Sequence, residues 1–231
     1  MKYNLNKRIE EEIIALAKKH HIKKVILFGS RARGDNNERS DIDIAVSGGS
    51  FSDFTFDANE TTVTLLMFDV VNLDHSISEE LKDEITRDGI VLYDEGRDWL
   101  MKKYENFIRC LTVLQTAEEE KLSTDEIYRM GIIGQFNLTF ELAWKALQAT
   151  LKLHGAGQTG SPREIFKTAY SIGFLPEDEI WLEMLGKRNE AVHVYDEEEA
   201  KRLATLVFEK YIPAFTKLAG ILKEKIEEAE I

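Results

Sequence analysis

The spacing of apolar residues along this chain changes near residue 97. Before that point, short runs rich in β-branched residues alternate with helical segments, whereas almost every later segment has the spacing of an amphipathic helix. The two patterns are typical of two different architectures. We therefore predict an α+β chain, with a small mixed-sheet domain over residues 1–97 and an all-α antiparallel helical bundle over residues 98–231.

The first part is predicted to contain strands that stop at turn residues. Residues 23–28 (KKVILF) form a short apolar run that stops at Gly29, and residues 41–46 (DIDIAV) alternate strictly before the turn at 47–49. Further elements are expected as helices over 6–20 and 77–87, a strand over 61–71, and a terminal strand or extended segment over 89–93.

The second part is predicted to be a series of helices with recognisable start signals. Ser123 with Glu126, and Asp196 with Glu199, have the spacing of helix caps. Ser161 to Glu164 adds a proline at the first helical position. The predicted helices span about 98–119, 124–153, 161–173, 176–193 and 196–228.

Composition excludes several classes of function. The formal net charge of -12 repels phosphate backbones, so tight sequence-independent DNA binding is not expected. No apolar run approaches the roughly 20 residues that span a bilayer, and the N-terminus lacks the apolar core of a signal peptide. With Cys110 as the single cysteine, these features predict a cytoplasmic protein that is not bound to membranes.

Asp41 and Asp43 are the residues that most directly suggest chemistry. Residues two apart on a strand project from the same face, so the two carboxylates are predicted to stand side by side, with Ile42 and Ile44 buried behind them. Adjacent carboxylates raise each other's pKa, and a divalent cation between them removes the repulsion. Hard oxygen ligands of this kind suit Mg²⁺ or Mn²⁺. The alternative is a surface strand whose acidic pair has no role.

A glycine-serine turn precedes this strand. Gly29 follows a buried strand and lets the backbone approach phosphate oxygens closely. The Ser30 hydroxyl can donate to the same oxygens, and Arg31 and Arg33 would supply positive charge nearby. The turn is therefore predicted to bind the phosphates of a nucleotide.

A third carboxylate would complete a site for two metal ions. Asp69 is the best candidate, because a lone aspartate in the apolar run at 66–71 (LMFDVV) requires a partner. Asp57 and Asp74 are alternatives that lie in loop-like surroundings.

The two motifs together resemble the signature of the DNA polymerase β-type nucleotidyltransferase superfamily. The string GSRARG, followed by SDIDIAV, is similar to its small prokaryotic branch, the minimal nucleotidyltransferases (MNT), over about residues 20–95. The resemblance implies transfer of a nucleoside monophosphate from an NTP, with ATP expected, to a hydroxyl group. It assigns phosphate binding to Gly29 and Ser30, and metal binding and catalysis to Asp41, Asp43 and Asp69.

The helical half contains two strings of interest. Residues 140–145 (FELAWK) are explained by core packing plus an exposed Glu-Lys pair four residues apart. In residues 188–195 (RNEAVHVY), Arg188 and His193 are five positions apart, which is about 140° on an ideal helix. They converge only if the helix end distorts or a second subunit contributes; otherwise they form a cation pair at a helix end.

With the bundle, these strings resemble the HEPN superfamily, and more narrowly the nucleotidyltransferase substrate-binding proteins, over about residues 98–225. The resemblance implies a homodimer whose Arg188 and His193 cleave RNA without a metal. It also implies that an MNT partner adenylylates Tyr195, as in toxin–antitoxin pairs, and so blocks RNA access. Here the two partners are fused in one chain, unlike the usual pairs.

Three functions follow. The leading hypothesis is an NTP:hydroxyl nucleotidyltransferase whose helical domain presents the acceptor or is itself the acceptor. The second is a metal-independent HEPN ribonuclease regulated by the attached MNT domain. The third is a nucleotide-binding module without catalysis.

Overall fold

The computed structural model describes residues 3–156, 160–177, 179–190 and 196–228. The chain divides into two compact units, Met1–Asp98 and Trp99–Ile231. Each unit buries a hydrophobic core of its own. Predicted site residues His193 and Tyr195 lie outside the described residues.

The first unit alternates helices and strands, as the apolar spacing predicts. Its elements are α1 (Lys7–Lys19), β1 (Lys24–Leu27), α2 (Gly29–Arg33), β2 (Ile42–Ser47), α3 (Phe51–Thr61), β3 (Phe68–Asn72), α4 (Glu79–Asp88) and β4 (Ile90–Asp94). The described strands form one sheet in the order β3-β2-β1-β4. Strand β1 is antiparallel to β2 and β4, whereas β2 and β3 are parallel, so the predicted mixed sheet is confirmed.

The strand predicted over residues 61–71 is wrong in its first part. Strand β3 begins only at Phe68, and residues 51–61, for which no element was predicted, form α3. Leu65 is fully exposed, at 104% of its reference area. Residues 61–67 are therefore not part of the sheet. Their apolar composition suggested a strand, but in the structure they do not pair with another strand.

The sheet is covered by different elements on its two faces. One face packs against α1 and α3 through a buried cluster that includes Ile13, Leu27, Ile42, Ile44 and Phe54. The opposite face contains a smaller cluster in which Phe28 and Ala45 pack against Ile85 of α4. Since residues two apart on a strand share a face, Asp43 projects on the same side as Ala45, which is the side that α4 covers.

The second unit is helical, as predicted. Its elements are α5 (Glu95–Gln115, which begins in the first unit), a 3₁₀ turn (Glu119–Leu122), α6 (Glu126–Leu153), α7 (Pro162–Ser171), α8 (Glu179–Glu190), α9 (Glu197–Leu206), a π-helical turn (Val207–Tyr211) and α10 (Ile212–Glu228). Its core is rich in aromatic side chains, with Phe136 stacked on Tyr211 and Phe166 stacked on Trp181. None of the helices described is long and apolar enough to cross a membrane.

The helix caps agree with the sequence at two of three places. Ser161 and Glu164 form the predicted capping box of α7, and Asp196 accepts hydrogen bonds at the start of α9. The cap of α6, however, is Asp125 and not Ser123. Ser123 already has helical backbone angles at the end of the 3₁₀ turn, whereas an N-cap needs the extended conformation that Asp125 has.

The single helix predicted over residues 196–228 is interrupted by the π-helical turn at Val207–Tyr211. Pro213 follows this turn and has no N–H to donate to the carbonyl of Glu209, four residues earlier. The regular hydrogen-bond ladder therefore cannot continue through this position, and one wider turn takes its place.

Candidate nucleotidyltransferase site

The predicted metal-binding carboxylates lie together at one end of the sheet. Asp43 is on β2 and Asp69 is its direct register partner on β3. Directly paired residues of neighbouring strands project from the same face, so the two carboxylates are neighbours. Asp41 immediately precedes β2 and is two residues from Asp43 along an extended chain. The structure thus brings all three residues to one place.

These carboxylates repel one another. Burial raises the pKa of the Asp43 carboxyl, and the negative charges of Asp69 and Asp41 raise it further. Glu84 also raises the pKa of Asp43, whereas the positive charge of Arg33 lowers it. A divalent cation would relieve this repulsion, because the donors are hard oxygen atoms of the kind that Mg²⁺ and Mn²⁺ prefer.

The carboxylates are not arranged as a complete set of metal ligands. Within the described parts of the chain, no group of three His, Cys, Asp or Glu side chains is arranged so that it could hold a metal ion. The chemistry and the strand positions of Asp41, Asp43 and Asp69 fit a divalent ion. Coordination by all three would require their side chains to turn toward a common point.

The Gly29 turn lies directly against the Asp43 carboxylate. The amide of Phe28 donates to the Asp43 carbonyl at 3.0 Å, and Gly29 follows with φ of 68°. A Cβ atom on Gly29 would lie 2.9 Å from Asp43 Cγ and would overlap its Oδ2. Glycine at this position therefore makes room for the carboxylate, in addition to allowing the left-handed turn.

Ser30 is the next residue and lies in α2, where it is half-buried. Its carbonyl accepts from the amides of Gly34 and Asp35, at 2.9 and 3.1 Å. These bonds hold the turn that follows the short helix. The predicted phosphate-binding pair, Gly29 and Ser30, is thus adjacent to the carboxylates.

Arg31 has a different position from the one expected for a nucleotide contact. Its side chain is buried and donates to the main-chain carbonyls of Ser40 (2.7 Å), Asp41 (3.2 Å), Asn4 (3.2 Å) and Glu38 (3.2 Å). These hydrogen bonds tie α2 to the segment that leads into β2. The structure therefore gives Arg31 the role of holding the backbone of Asp41.

Arg33 lies on the exposed side of α2. Its guanidinium pairs with Glu84 at 2.9 Å, Asp88 at 3.3 Å and Asp35 at 3.3 Å. Burial has the largest effect on the pKa of Asp43 and raises it, whereas the positive charge of Arg33 lowers it. Of the two predicted arginines, Arg33 is the one that is exposed.

The two alternative third carboxylates have other partners. Asp57 lies in α3, not in a loop, and binds Lys19 at 2.6 Å and His20 at 2.8 Å. Asp74 accepts from the amide of Gly48 at 2.6 Å. Of the three candidates, only Asp69 lies opposite Asp43.

Comparison with known protein families agrees with this geometry. The model of the polymerase β nucleotidyltransferase family matches residues 11–98, and that of the "nucleotidyltransferase substrate binding protein like" family matches residues 102–224, more than half of the chain. The chain belongs to the nucleotidyltransferase substrate-binding protein family. Its first part is a polymerase β-type nucleotidyltransferase domain, so the chain is a nucleotidyltransferase.

Two curated relatives and one solved structure are similar to this chain. MJ0604 of Methanocaldococcus jannaschii, named as a candidate protein adenylyltransferase, is 46% identical over 80 residues, 34% of this chain and 78% of that protein. The protein adenylyltransferase MntA of Aphanizomenon flos-aquae is 29% identical over 133 residues, 51% of this chain and 88% of that protein. A crystal structure from Thermus thermophilus shares 26% identity over 52% of this chain and 98% of its own, with a TM-score of 0.42.

In the substrate-binding domain, the structure joins the two strings singled out in the sequence. Glu141 pairs with Lys145 at 3.1 Å, as the four-residue spacing predicts, and also with Arg188 of α8 at 3.5 Å. The indole N–H of Trp144 donates to Glu141 at 3.0 Å. These partners hold the pKa of the Glu141 carboxyl low although burial opposes it. His193, the predicted partner of Arg188, lies outside the described residues, so their pairing stays a prediction.

Two acidic side chains near the nucleotidyltransferase site were not predicted. Glu84 and Asp88 lie one turn apart on α4 and both bind Arg33. Their four-residue spacing is visible in the sequence as one charged helix face. The sequence does not show which element that face meets, because the contact with Arg33 spans about fifty positions of the chain.

Proposed function

We propose that the chain transfers an adenylyl group from ATP to a hydroxyl group in the presence of Mg²⁺, or Mn²⁺ in its place. The observation that carries the proposal is the position of Asp43, which lies opposite Asp69, two residues from Asp41 and directly against the Gly29 turn. A nucleotide held at the turn would have its phosphates beside the carboxylates.

The chain's own residues have distinct tasks in this proposal. Asp41, Asp43 and Asp69 would hold the divalent ion, which supplies positive charge to the phosphates and increases the acidity of the acceptor hydroxyl. Gly29 and Ser30 would receive the phosphates, and Arg33 would neutralise part of their charge. Arg31 would keep Asp41 in place through the main chain.

The proposed reaction is a single displacement at the α-phosphorus. The acceptor oxygen forms a bond to phosphorus, the bond from phosphorus to the bridging oxygen breaks, and pyrophosphate leaves with that bond's electron pair. The acceptor proton passes to a carboxylate of the group and from there to solvent. Asp69 is exposed and is suited to this transfer.

We further propose that the acceptor is a protein hydroxyl, in particular that of Tyr195. Two relatives of this chain have names that denote protein adenylyl transfer. The matched substrate-binding domain contains Tyr195 in the string RNEAVHVY. In this proposal residues 1–97 form the catalytic domain and residues 98–231 the domain that provides the acceptor.

Mass spectrometry of the purified protein with and without ATP and Mg²⁺ tests the proposal. We expect the mass to increase by one adenylyl group, and fragmentation to locate that group on Tyr195. Asp43→Asn and Tyr195→Phe should each abolish the mass gain. Tyr170→Phe is the matched control, because Tyr170 is an exposed tyrosine of the same domain. A label elsewhere would refute the acceptor. No label on the protein or on added hydroxyl compounds, with any NTP, would refute the transferase proposal.

The ribonuclease alternative, the homodimer and the cytoplasmic location remain predictions. The ribonuclease predicts RNA cleavage in the presence of EDTA that is lost in His193→Ala. Cleavage that depends on Asp41 instead would contradict it. Nucleotide binding without any turnover would favour the third hypothesis, a non-catalytic module.

A further inference from the structure

Helix α4 covers the face of the sheet from which the catalytic carboxylates project. Its Ile85 packs in the same buried cluster as Phe28 and Ala45. Phe28 adjoins the Gly29 turn, and Ala45 is two residues from Asp43 on the same face. Glu84 precedes Ile85 on this helix, and its carboxylate pairs with Arg33 of α2.

Two carboxylates of α4 hold the Arg33 side chain by one of its nitrogen atoms. Nη1 of Arg33 lies 2.9 Å from Glu84 Oε1 and 3.3 Å from Asp88 Oδ2. Asp88 is itself held by Arg87 through two hydrogen bonds, of 3.0 and 2.8 Å, and its side chain is only 14% exposed. Asp88 therefore contacts two arginines, Arg87 and Arg33.

The other end of the Arg33 guanidinium is available. Its Nε binds Asp35 at 3.3 Å, while no acceptor among the described residues is hydrogen-bonded to Nη2. Arg33 is the last residue of α2, which begins at Gly29, and the Gly29 turn lies directly against the Asp43 carboxylate. An arginine with a free N–H group at this location is suited to phosphate oxygens.

We propose that Glu84 and Asp88 are positioning residues that hold Arg33 for the phosphates of the donor nucleotide. The inference rests on the proposed nucleotidyl transfer and adds two residues to its site. An exposed arginine without these partners would sample many rotamers, and its ordering would oppose nucleotide binding. The two carboxylates restrict the side chain in advance and leave Nη2 to donate.

The direction in which Glu84→Gln changes the affinity for ATP distinguishes a positioning role from a purely electrostatic effect. The negative charge of Glu84 repels a triphosphate, so its removal in Glu84→Gln should strengthen ATP binding if charge alone matters. If Glu84 positions Arg33, the same substitution should weaken binding. We expect Glu84→Gln to weaken ATP binding, because an Arg33 side chain that is not restrained beforehand loses more conformational entropy for each hydrogen bond that it forms.

Calorimetric titration of the full chain with ATP and Mg²⁺ measures this effect. We expect Glu84→Gln and Asp88→Asn each to raise the Kd by about tenfold, a size typical of a lost positioning contact. Glu80→Gln is the matched control, because Glu80 is exposed on α4 and no described residue forms an ion pair with it. Its Kd should stay within about twofold of the wild type, as for an ordinary surface substitution.

A double-mutant cycle then connects the effect to Arg33. In the Arg33→Gln background, Glu84→Gln should have no further effect on the Kd, because the residue that it positions is gone. Additive effects in the cycle, or equal Kd values for the Glu84, Asp88 and Glu80 variants, would overturn the inference. A tighter Kd for Glu84→Gln would overturn it as well.

The same proteins distinguish this inference from the proposed function. Adenylyl transfer is measured separately, by the mass gain described above. A wild type that binds ATP with the expected pattern but transfers nothing would refute the transferase proposal and still support the positioning role. A wild type that binds no ATP would refute both.

Discussion

Gly29 has a backbone conformation and a position that together exclude any other residue. Its φ of 68° is costly for L-amino acids with a side chain, by about 1–2 kcal/mol. In addition, a Cβ atom would meet the Asp43 carboxylate. A substitution here acts on the turn and on the proposed metal ligand at the same time.

We predict that Gly29→Ala lowers nucleotidyl transfer by about 100-fold or more, because the Asp43 carboxylate must move by a large fraction of an ångström to make room. Transfer rates at saturating ATP and Mg²⁺ measure the effect.

Gly155→Ala is the control for backbone strain. Gly155 has a similar φ of 73°, but no heavy atom lies within 4 Å of its added Cβ. It should lose stability by a similar amount and keep its transfer rate. Equal rates for the two variants would contradict the proposed contact between the turn and Asp43.

Helix α7 begins with a capping box formed by Ser161 and Glu164. Ser161 Oγ accepts from the Glu164 amide at 3.4 Å, and the Glu164 side chain accepts from the Ser161 amide at 2.8 Å. Both partners lie within three residues of each other. The helix therefore begins where the local sequence dictates, before any tertiary contact is considered.

Ser161→Ala should destabilise the protein by about 1 kcal/mol, since it removes one half of the capping box. Urea unfolding followed by circular dichroism checks this value. Ser171→Ala is the control at the other end of α7, where the hydroxyl donates to the Thr168 carbonyl at 2.8 Å. It should change stability by less than about 0.5 kcal/mol. A similar loss in both variants would mean that the capping box contributes nothing specific.

The bounds of other elements depend on long-range contacts and not on the local sequence pattern. Strand β3 starts only at Phe68, whose amide donates to Asn59 Oδ1 at 2.9 Å and whose carbonyl accepts from Asn59 Nδ2 at 3.4 Å. Asn59 therefore holds the start of the strand against α3. No periodicity in residues 61–71 indicates this contact, and the predicted strand was correspondingly too long.

At the scale of the whole molecule, the negative charge of the chain opposes the binding of a negatively charged nucleotide. The chain has a net charge of -12, and Asp41, Asp43 and Asp69 concentrate part of that negative charge at the site. A nucleotide brings further negative charge to the same place. Divalent cations are thus expected to control binding as well as chemistry.

We predict that EDTA weakens ATP binding by at least about tenfold, because each like-charge contact near 4 Å costs about 1 kcal/mol even in water. The residual binding should become stronger as NaCl is added, since salt screens repulsion. Calorimetric titration in EDTA at several salt concentrations measures both effects. Tight binding in EDTA, or binding that weakens with salt, would contradict the prediction.

The sequence alone determined the features that depend on neighbouring residues. The alternation of residues 41–46 places Asp41 and Asp43 on one face, and the glycine after the first strand predicts a turn, because both follow from the local geometry of the backbone. The change of apolar spacing near residue 97 separates the sheet from the helices for the same reason.

Only the tertiary structure decided which distant residues complete the site. The register of β2 and β3 places Asp69 opposite Asp43, and the packing of α4 on the sheet brings Glu84 to Arg33. The burial of Arg31 turns its guanidinium to the main chain. These contacts join residues that are far apart in the chain. Their energies depend on how the elements pack, and no short stretch of sequence contains that information.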